Sequence, residues 1–300
     1  MDRIVEIHSI SVFHELLGYE KPKHPLITLI DFNNMKPRIE YINTKYVTGY
    51  YTIALKKGKG CGMKYGRGYY DFSEGSLMFL SPGQVAVVEE SSSEMEGWML
   101  CFHPDLIRGS SLGNKIDEYT FFSYDTSEAL HLSENEKEVI TNIVQSIKKE
   151  YSQNIDIYSQ DLIVSNIEML LNYSKRFYGR QFITRNNVNK DLITRFHMLL
   201  RRCFEEENLV EKGIPTVKYI AKEMGYSTNY LSDLLKKETG KNTQEHIQFQ
   251  LVEMAKNLLL GTNEPISQIG FMLGFEYPSH FSKFFKQKTG MSPVSYRKKS

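Results

Sequence analysis

Two patterns of apolar and polar positions divide the chain. From about residue 25 to 103 the apolar residues come in short runs, such as YVTGYYTIAL (46–55) and SLMFLS (76–81). Glycine-bearing turns bound these runs at 56–62, 65–68, 73–75 and 81–84, which predicts many short strands in a small sandwich or barrel. GWMLCFHPDLI (97–107) reads as a last strand running into a proline-started turn of helix. After Asp125 the period lengthens. Ser133 and Glu136 form a capping box ahead of the stripe Val139, Ile140, Ile143, Val144 and Ile147. A second helix is expected over about 155–178, with Leu162, Ile163, Ile167, Leu170 and Leu171 on one side. These two helices are expected either to cover the β-structure or to pair with another chain. The polar segment 179–190 reads as a linker. Beyond it the pattern is helical, interrupted at 212–215, 225–228 and 261–265.

The helical third contains a duplication. GYSTNYLSDLLKKETG (225–240) and GFEYPSHFSKFFKQKTG (274–290) align on their first glycines, with one extra residue in the second copy. Leu231 then matches Phe281, Leu234-Leu235 matches Phe284-Phe285, and Thr239-Gly240 matches Thr289-Gly290. Upstream, Ile220-Ala221 falls on Ile269-Gly270. Each copy predicts helix, tight turn, helix. Gly225 and Gly274 end the first helices, Thr228 is expected to cap one second helix, and Pro278 to open the other.

In those second helices the i, i+3, i+4 positions, Leu231, Leu234 and Leu235 or Phe281, Phe284 and Phe285, are expected inside. Asn229, Ser232, Asp233 and Lys236 then face outward in the first copy. Ser279, His280, Ser282, Lys283 and Lys286 do so in the second. Short polar side chains with lysines suit a helix entering the DNA major groove, where they meet base edges and phosphates. A solvated helix face is the plain alternative for either helix alone. The intervening TQEHIQFQLVEMAKNLLLG (243–261) reads as one long helix. At about 1.5 Å per residue it spans nearly 30 Å, against about 34 Å between successive major-groove faces. One monomer could therefore read two short sites at once.

Charge sharpens this picture. The formal net charge is +1, yet residues 190–300 carry 17 Lys+Arg against 12 Asp+Glu, and residues 1–189 carry 20 against 24. A basic C-terminal third suits a polyanionic partner. No apolar run approaches the roughly 18 residues of a membrane span, and the first residues lack a signal-peptide pattern. Cys61, Cys101 and Cys203 lie far apart, as reduced thiols of a cytoplasmic protein would. Three hundred residues, 41% of them hydrophobic, suggest two domains.

AKEMGYSTNYLSDLLKKETG, MAKNLLLGTNEPISQIGFMLGF and SHFSKFFKQKTGMSPVSYRK closely resemble the AraC/XylS family of bacterial transcription regulators, over roughly 190–299. The resemblance implies seven helices in two helix-turn-helix units joined by a long helix. It also implies base-reading roles for Asn229, Ser232 and Asp233, and for Ser279, His280, Ser282 and Lys283. Asp233 departs from the family, which often has arginine there. An aspartate can accept from a cytosine amino group, or it can pair with Lys236 or Lys237. GRGYYDFSEGSLMFLSPGQVAVVE resembles the cupin-type sensor barrel of such regulators.

The expected architecture is thus two-domain α+β. A cupin-like β-barrel spans 1–130, a helical packing or dimerisation segment 131–180, a linker 181–189 and an all-α double helix-turn-helix domain 190–300. The expected partners are double-stranded DNA, a second copy of the chain, an unidentified small-molecule effector and RNA polymerase. No membrane, cofactor or metal is expected. The alternatives are a cupin-like small-molecule enzyme fused to a DNA-binding domain, and an architectural DNA binder. Cupin enzymes need clustered histidines, and none lies between His24 and His103. His103 reads as structural. Cys61 has no sequence-local base, and the glycines of 58–68 lack a phosphate-loop ending. Tyr50, Tyr51, Tyr65, Tyr69, Tyr70 and Trp98 supply aromatic walls, for a ligand or for an ordinary core.

Overall fold

A computed structural model describes residues 4–34, 45–57, 75–87, 96–125, 128–153, 156–184 and 186–298. The chain divides into two compact units, Met1–Thr184 and Arg185–Ser300.

The first unit is built on two sheets. Strands β2 (Ile27–Asp31), β4 (Tyr51–Lys57), β5 (Ser76–Leu80), β7 (Glu96–Phe102) and β8 (Leu130–His131) form one sheet in the order β2-β7-β4-β5-β8. Strands β1 (Ile4–Ile7), β3 (Lys45–Thr48) and β6 (Val85–Val87) form the other, in the order β1-β3-β6. The apolar run 46–55 is thus divided between two strands in two sheets. The break falls at Gly49-Tyr50, where the Gly49 amide donates to the Ile7 carbonyl at 2.9 Å and the Tyr50 side chain is fully buried. The expected turns within 58–74, with Cys61, Tyr65, Tyr69 and Tyr70, lie outside the described residues. The turn at 81–84 is present, with Gly83 at φ +81° and the Ser81 amide donating to the Gln84 side chain at 2.8 Å.

Alternation along β4 and β7 sorts the core into two faces. The cross-strand pairs Tyr51–Phe102, Ile53–Leu100 and Leu55–Trp98 share one face. A 3-10 turn at Thr120–Ser123 and the helix Ser159–Thr184 (α5) cover it, bringing Phe121 and Tyr178 within 4.4 and 6.2 Å of the Phe79 ring. Cys101 points to the other face, into a cluster with Ile7, Ile10, Tyr46 and Tyr50 under helix α1 (Ile10–Leu16). Tyr50 and Trp98 therefore belong to opposite faces and do not line one common wall. Gly97 sits where β4 and β7 approach closely. At φ +125° a Cβ there would lie 2.0 Å from the Leu55 carbonyl oxygen, so only glycine fits.

The closed barrel is not borne out: the described sheets are open, and helices cover the edges of the larger one. Short helices α2 (Pro104–Ile107) and α3 (Ser111–Lys115) follow β7, and His103 caps α2 by accepting from the Asp105 amide at 3.2 Å. Then come α4 (Glu134–Ser152) and α5 (Ser159–Thr184). The Ser133–Glu136 capping box is present. On edge strand β2 the Leu29 amide donates to the Tyr151 hydroxyl of α4 at 3.0 Å. On edge strand β8 the His131 amide donates to the Gln181 side chain of α5 at 2.8 Å, and Arg180 donates to the His131 carbonyl at 2.8 Å. Edge groups that barrel closure would pair with strands are satisfied here by side chains.

Helix α5 starts four residues later than expected and absorbs 179–184, and the next helix begins at Asn186. The polar residues read as a linker are compatible with helix, since Arg and Gln carry good helix propensity. Ile163, Ile167, Leu170 and Leu171 are buried as expected, whereas Leu162 is 49% exposed.

Candidate nucleic-acid interface

The second unit holds eight described helices: α6 (Asn186–Cys203), α7 (Glu206–Lys212), α8 (Val217–Met224), α9 (Thr228–Thr239), α10 (Thr243–Gly261), α11 (Ile266–Met272), α12 (Pro278–Thr289) and α13 (Pro293–Lys298). That is one more than the resemblance implies. Among them, α7 buries Leu209 completely. Its Leu209 carbonyl would lie 3.0 Å from a Cβ at Gly274, so this glycine, at φ +79°, serves both the turn and the packing.

The duplication persists down to individual hydrogen bonds. Helix α8 ends at Gly225 (φ +80°), with the Tyr226 amide donating to the Ala221 carbonyl at 3.0 Å. Helix α11 ends before Gly274, with the Phe275 amide donating to the Gly270 carbonyl at 3.0 Å. Both are the six-to-one closure that satisfies orphaned carbonyls beside a left-handed glycine. Helices α9 and α12 close on Gly240 and Gly290, at φ +78° and +79°. In each the preceding threonine donates back one turn: Thr239 to the Leu235 carbonyl at 2.7 Å and Thr289 to the Phe285 carbonyl at 2.8 Å. Their N-termini differ. Ser227, not Thr228, caps α9, its hydroxyl accepting from the Tyr230 amide at 3.2 Å. Thr228 is already the first helical residue. Helix α12 has no side-chain cap and opens on Pro278, as expected.

Both second helices bury the expected stripe, with two refinements. Leu231, Leu234 and Leu235 are buried on α9, joined by Tyr230, whose ring stacks on Tyr226 at 5.4 Å. Phe281 and Phe285 are fully buried on α12, whereas Phe284 is half-buried against Phe275, with ring centroids 5.6 Å apart. Gly270 makes room for the larger Phe281, since a Cβ there would stand 3.3 Å from the Phe281 Cβ. The first copy has Ala221 and Leu231 at these positions. The smaller residue accompanies the larger partner, as a core of fixed volume requires.

The outward positions also differ between copies. On α12, Ser279, His280, Lys283 and Lys286 are exposed and Ser282 is half-buried. The His280 ring rests edge-on against Tyr277 at 5.3 Å. Of the four outward positions expected on α9, Lys236 is exposed, whereas Asn229, Ser232 and Asp233 are half-buried. The Ser232 hydroxyl donates to Thr243 at 3.0 Å, which leaves it free only to accept. Beside α9 opens a groove of about 600 Å³, lined among others by Thr216, Lys218, Thr228, Asn229, Ser232 and Gln244. Thr216, Lys218 and Gln244 were not singled out in the sequence. Only an exact overlay of the two copies would have exposed them, as the polar counterparts of Pro265, Ser267 and Val294. Behind α9 the His246 imidazole lies 2.7 Å from the Thr239 hydroxyl, and burial, with His197 and Lys241 nearby, pushes its pKa down. Among the described residues no group of three or more His, Cys, Asp or Glu could hold a metal ion.

Residues 220–299 match the helix-turn-helix domain family. The uncharacterised HTH-type transcriptional regulator YobQ of Bacillus subtilis is 38% identical over 82 residues, 27% of this chain and 34% of its own length. The arabinose operon regulatory protein of Salmonella typhimurium is 33% identical over 78 residues, 26% of this chain and 28% of its own. The lactose operon transcription activator of Staphylococcus xylosus is 25% identical over 281 residues, covering 90% of this chain and 93% of its own. The chain spans about a third of YobQ. Shared motif, paired units and relatives agree: the C-terminal segment of this chain is a helix-turn-helix domain of the AraC type.

Proposed function

We propose that this protein is an effector-responsive, sequence-specific transcription regulator that acts in the cytoplasm and reads two adjacent major-groove sites with α9 and α12. The observation that carries the reading is the pair of equivalent helix-turn-helix units joined by α10. This helix of 19 residues spans about 28 Å at 1.5 Å per residue. That length is close to the roughly 34 Å repeat of the groove. On α12, the reading assigns His280 and Lys283 to base edges, with Ser279 and Ser282 beside them, and Lys286 to phosphate; the exposure of His280, Lys283 and Lys286 supports it. On α9, Asn229 and Asp233 are the base-reading candidates, Ser232 is an acceptor only, and Lys236 is a phosphate partner.

The first unit serves sensing and self-association. Leu162 and Met169, seven residues apart on α5, remain 49% and 43% exposed, which supports a homodimer through this face. RNA polymerase is the further partner that transcription activation would require.

In vitro selection of genomic fragments bound by the full-length protein at moderate salt tests the reading. The expected result is a motif of two short blocks about one helical turn apart. Binding with no enriched motif, fading only with salt, would favour an architectural binder instead.

A further inference from the structure

Buried polar groups away from the DNA-binding unit gather under a cavity of about 460 Å³ in the first unit. The cavity lies between the end of α4, edge strand β2 and the loop that follows α1. Its floor holds His14, Thr28 and Tyr151, which are 5%, 3% and 6% exposed. His14 Nδ1 faces the Glu20 carbonyl, which can only accept, so in the neutral ring Nδ1 carries the proton. Nε2 must then accept from the Thr28 hydroxyl, 2.8 Å away. Tyr151 in turn accepts from the Leu29 amide at 3.0 Å, and burial keeps its phenol neutral by pushing its pKa up. The buried His14–Thr28 pair is thus fixed in direction, and the Tyr151 hydroxyl, also buried, is held separately by the β2 backbone.

The mouth of the cavity is cationic. Lys21, Lys23 and Lys148 line it, all exposed and none with a hydrogen bond or ion pair among the described residues. Two carboxylates, Glu20 and Asp31, stand at the same rim, and Asp31 already accepts from the Asn33 amide and side chain at 3.0 and 2.9 Å. Three unpaired ammonium groups over a hydroxyl-rich, preordered floor form a receptor for a ligand with anionic and hydroxyl groups.

We propose that this cavity binds a small polyhydroxylated anion, a sugar phosphate or sugar acid, with its charged group held by Lys21, Lys23 and Lys148 and its hydroxyls toward the His14–Thr28–Tyr151 floor. The proposal deepens the effector-responsive part of the function above and rests on it. A ligand here would tie the last turn of α4 to the β2 edge and to the loop after α1.

Isothermal titration of the full-length protein without DNA tests the site, so its failure is separable from failure of DNA reading. The probes are glucose 6-phosphate, ribose 5-phosphate and gluconate, with glucose and inorganic phosphate as the two half-ligands. At least one of the first three is expected to bind, more tightly than either half-ligand, and less tightly as salt rises. The double substitution Lys21→Ala/Lys148→Ala is expected to weaken binding about tenfold or more, with the melting temperature of the free protein unchanged. No binding by any of the three, binding by inorganic phosphate alone, or binding indifferent to the lysine substitutions would each overturn the proposal.

Discussion

The two helix-turn-helix units share a frame and differ in what they offer to a partner. Gly225 and Gly274, Gly240 and Gly290, and Thr239 and Thr289 perform the same closures in both. What changes is the core pair and the outer face. The first unit packs with Ala221 and Leu231, half-buries most of its outer residues and surrounds them with Thr216, Lys218 and Gln244. The second packs with Gly270 and Phe281, exposes His280, Lys283 and Lys286, and carries Pro265, Ser267 and a half-exposed Val294 at the matching rim positions. Duplication has preserved what fixes the backbone and let the outer face diverge. On the proposed reading, the second unit would contact DNA through its helix alone, and the first through its helix together with its surroundings.

Substitutions that separate frame from face sharpen this comparison. The largest effect is expected from Phe281→Ala, since truncating a buried Phe costs about 3–5 kcal/mol. Thermal melting and DNA binding should fall together; a variant that melts like the parent would mean that the inside and outside of α12 are misassigned. Next is Gly270→Ala. Crowding Phe281 should cost about 1–3 kcal/mol in chemical denaturation. Phe281→Leu in the same chain should relieve part of that cost by recreating the Ala–Leu pair of the first unit. On the outer face, Lys283→Ala and His280→Ala should each cost about 1–3 kcal/mol at one block of the site and relax preference there. Equal losses on random duplexes would reassign them to phosphate.

For the first unit, Lys218→Ala should weaken binding to all sequences alike and reduce the salt slope by about one. A change in base preference would instead make the groove a reader. The smallest effect concerns His246, whose pKa lies below its ordinary 6.5 because burial, with His197 and Lys241 nearby, disfavours the cation, while Glu245 acts the other way. The unfolded chain therefore takes up the proton more readily. The stability contributed by neutral His246 is complete above pH 6.5 and is lost as pH falls from there toward the lower folded value. Denaturation curves between pH 5 and 7.5 should show this slope in the parent chain and a flatter one in His246→Gln.

The sequence disclosed most where the determinants are local. Helix ends marked by glycine, the capping box at Ser133 and the periodic stripes of α9 and α12 depend on residues within one or two turns, and a repeat states them twice. Ser227 was missed in favour of Thr228 because two adjacent hydroxyl residues are equally good caps on paper, and only backbone geometry chooses between them. The partial exposure of Phe284 follows from Phe275, which the aligned stripe leaves out of account. In Met1–Thr184 the determinants lie far apart in the chain. Nothing local announces that Tyr151 would cap strand β2 across 122 residues, or Gln181 strand β8 across 50. Those distant caps separate an open sheet flanked by helices from the closed barrel that the strand pattern suggested.

On the proposed reading, one chain contacts two sites through helices joined by α10. The most direct test inserts five base pairs between the two blocks of the selected site and measures affinity by fluorescence anisotropy at constant salt. Five base pairs turn one block roughly half a helical turn away from the other. Affinity is expected to fall to that of a single block, with the Lys283→Ala penalty abolished whenever the remaining contact is made by α9. Unchanged affinity on the expanded site would contradict the two-site reading and leave one helix, not two, as the reader.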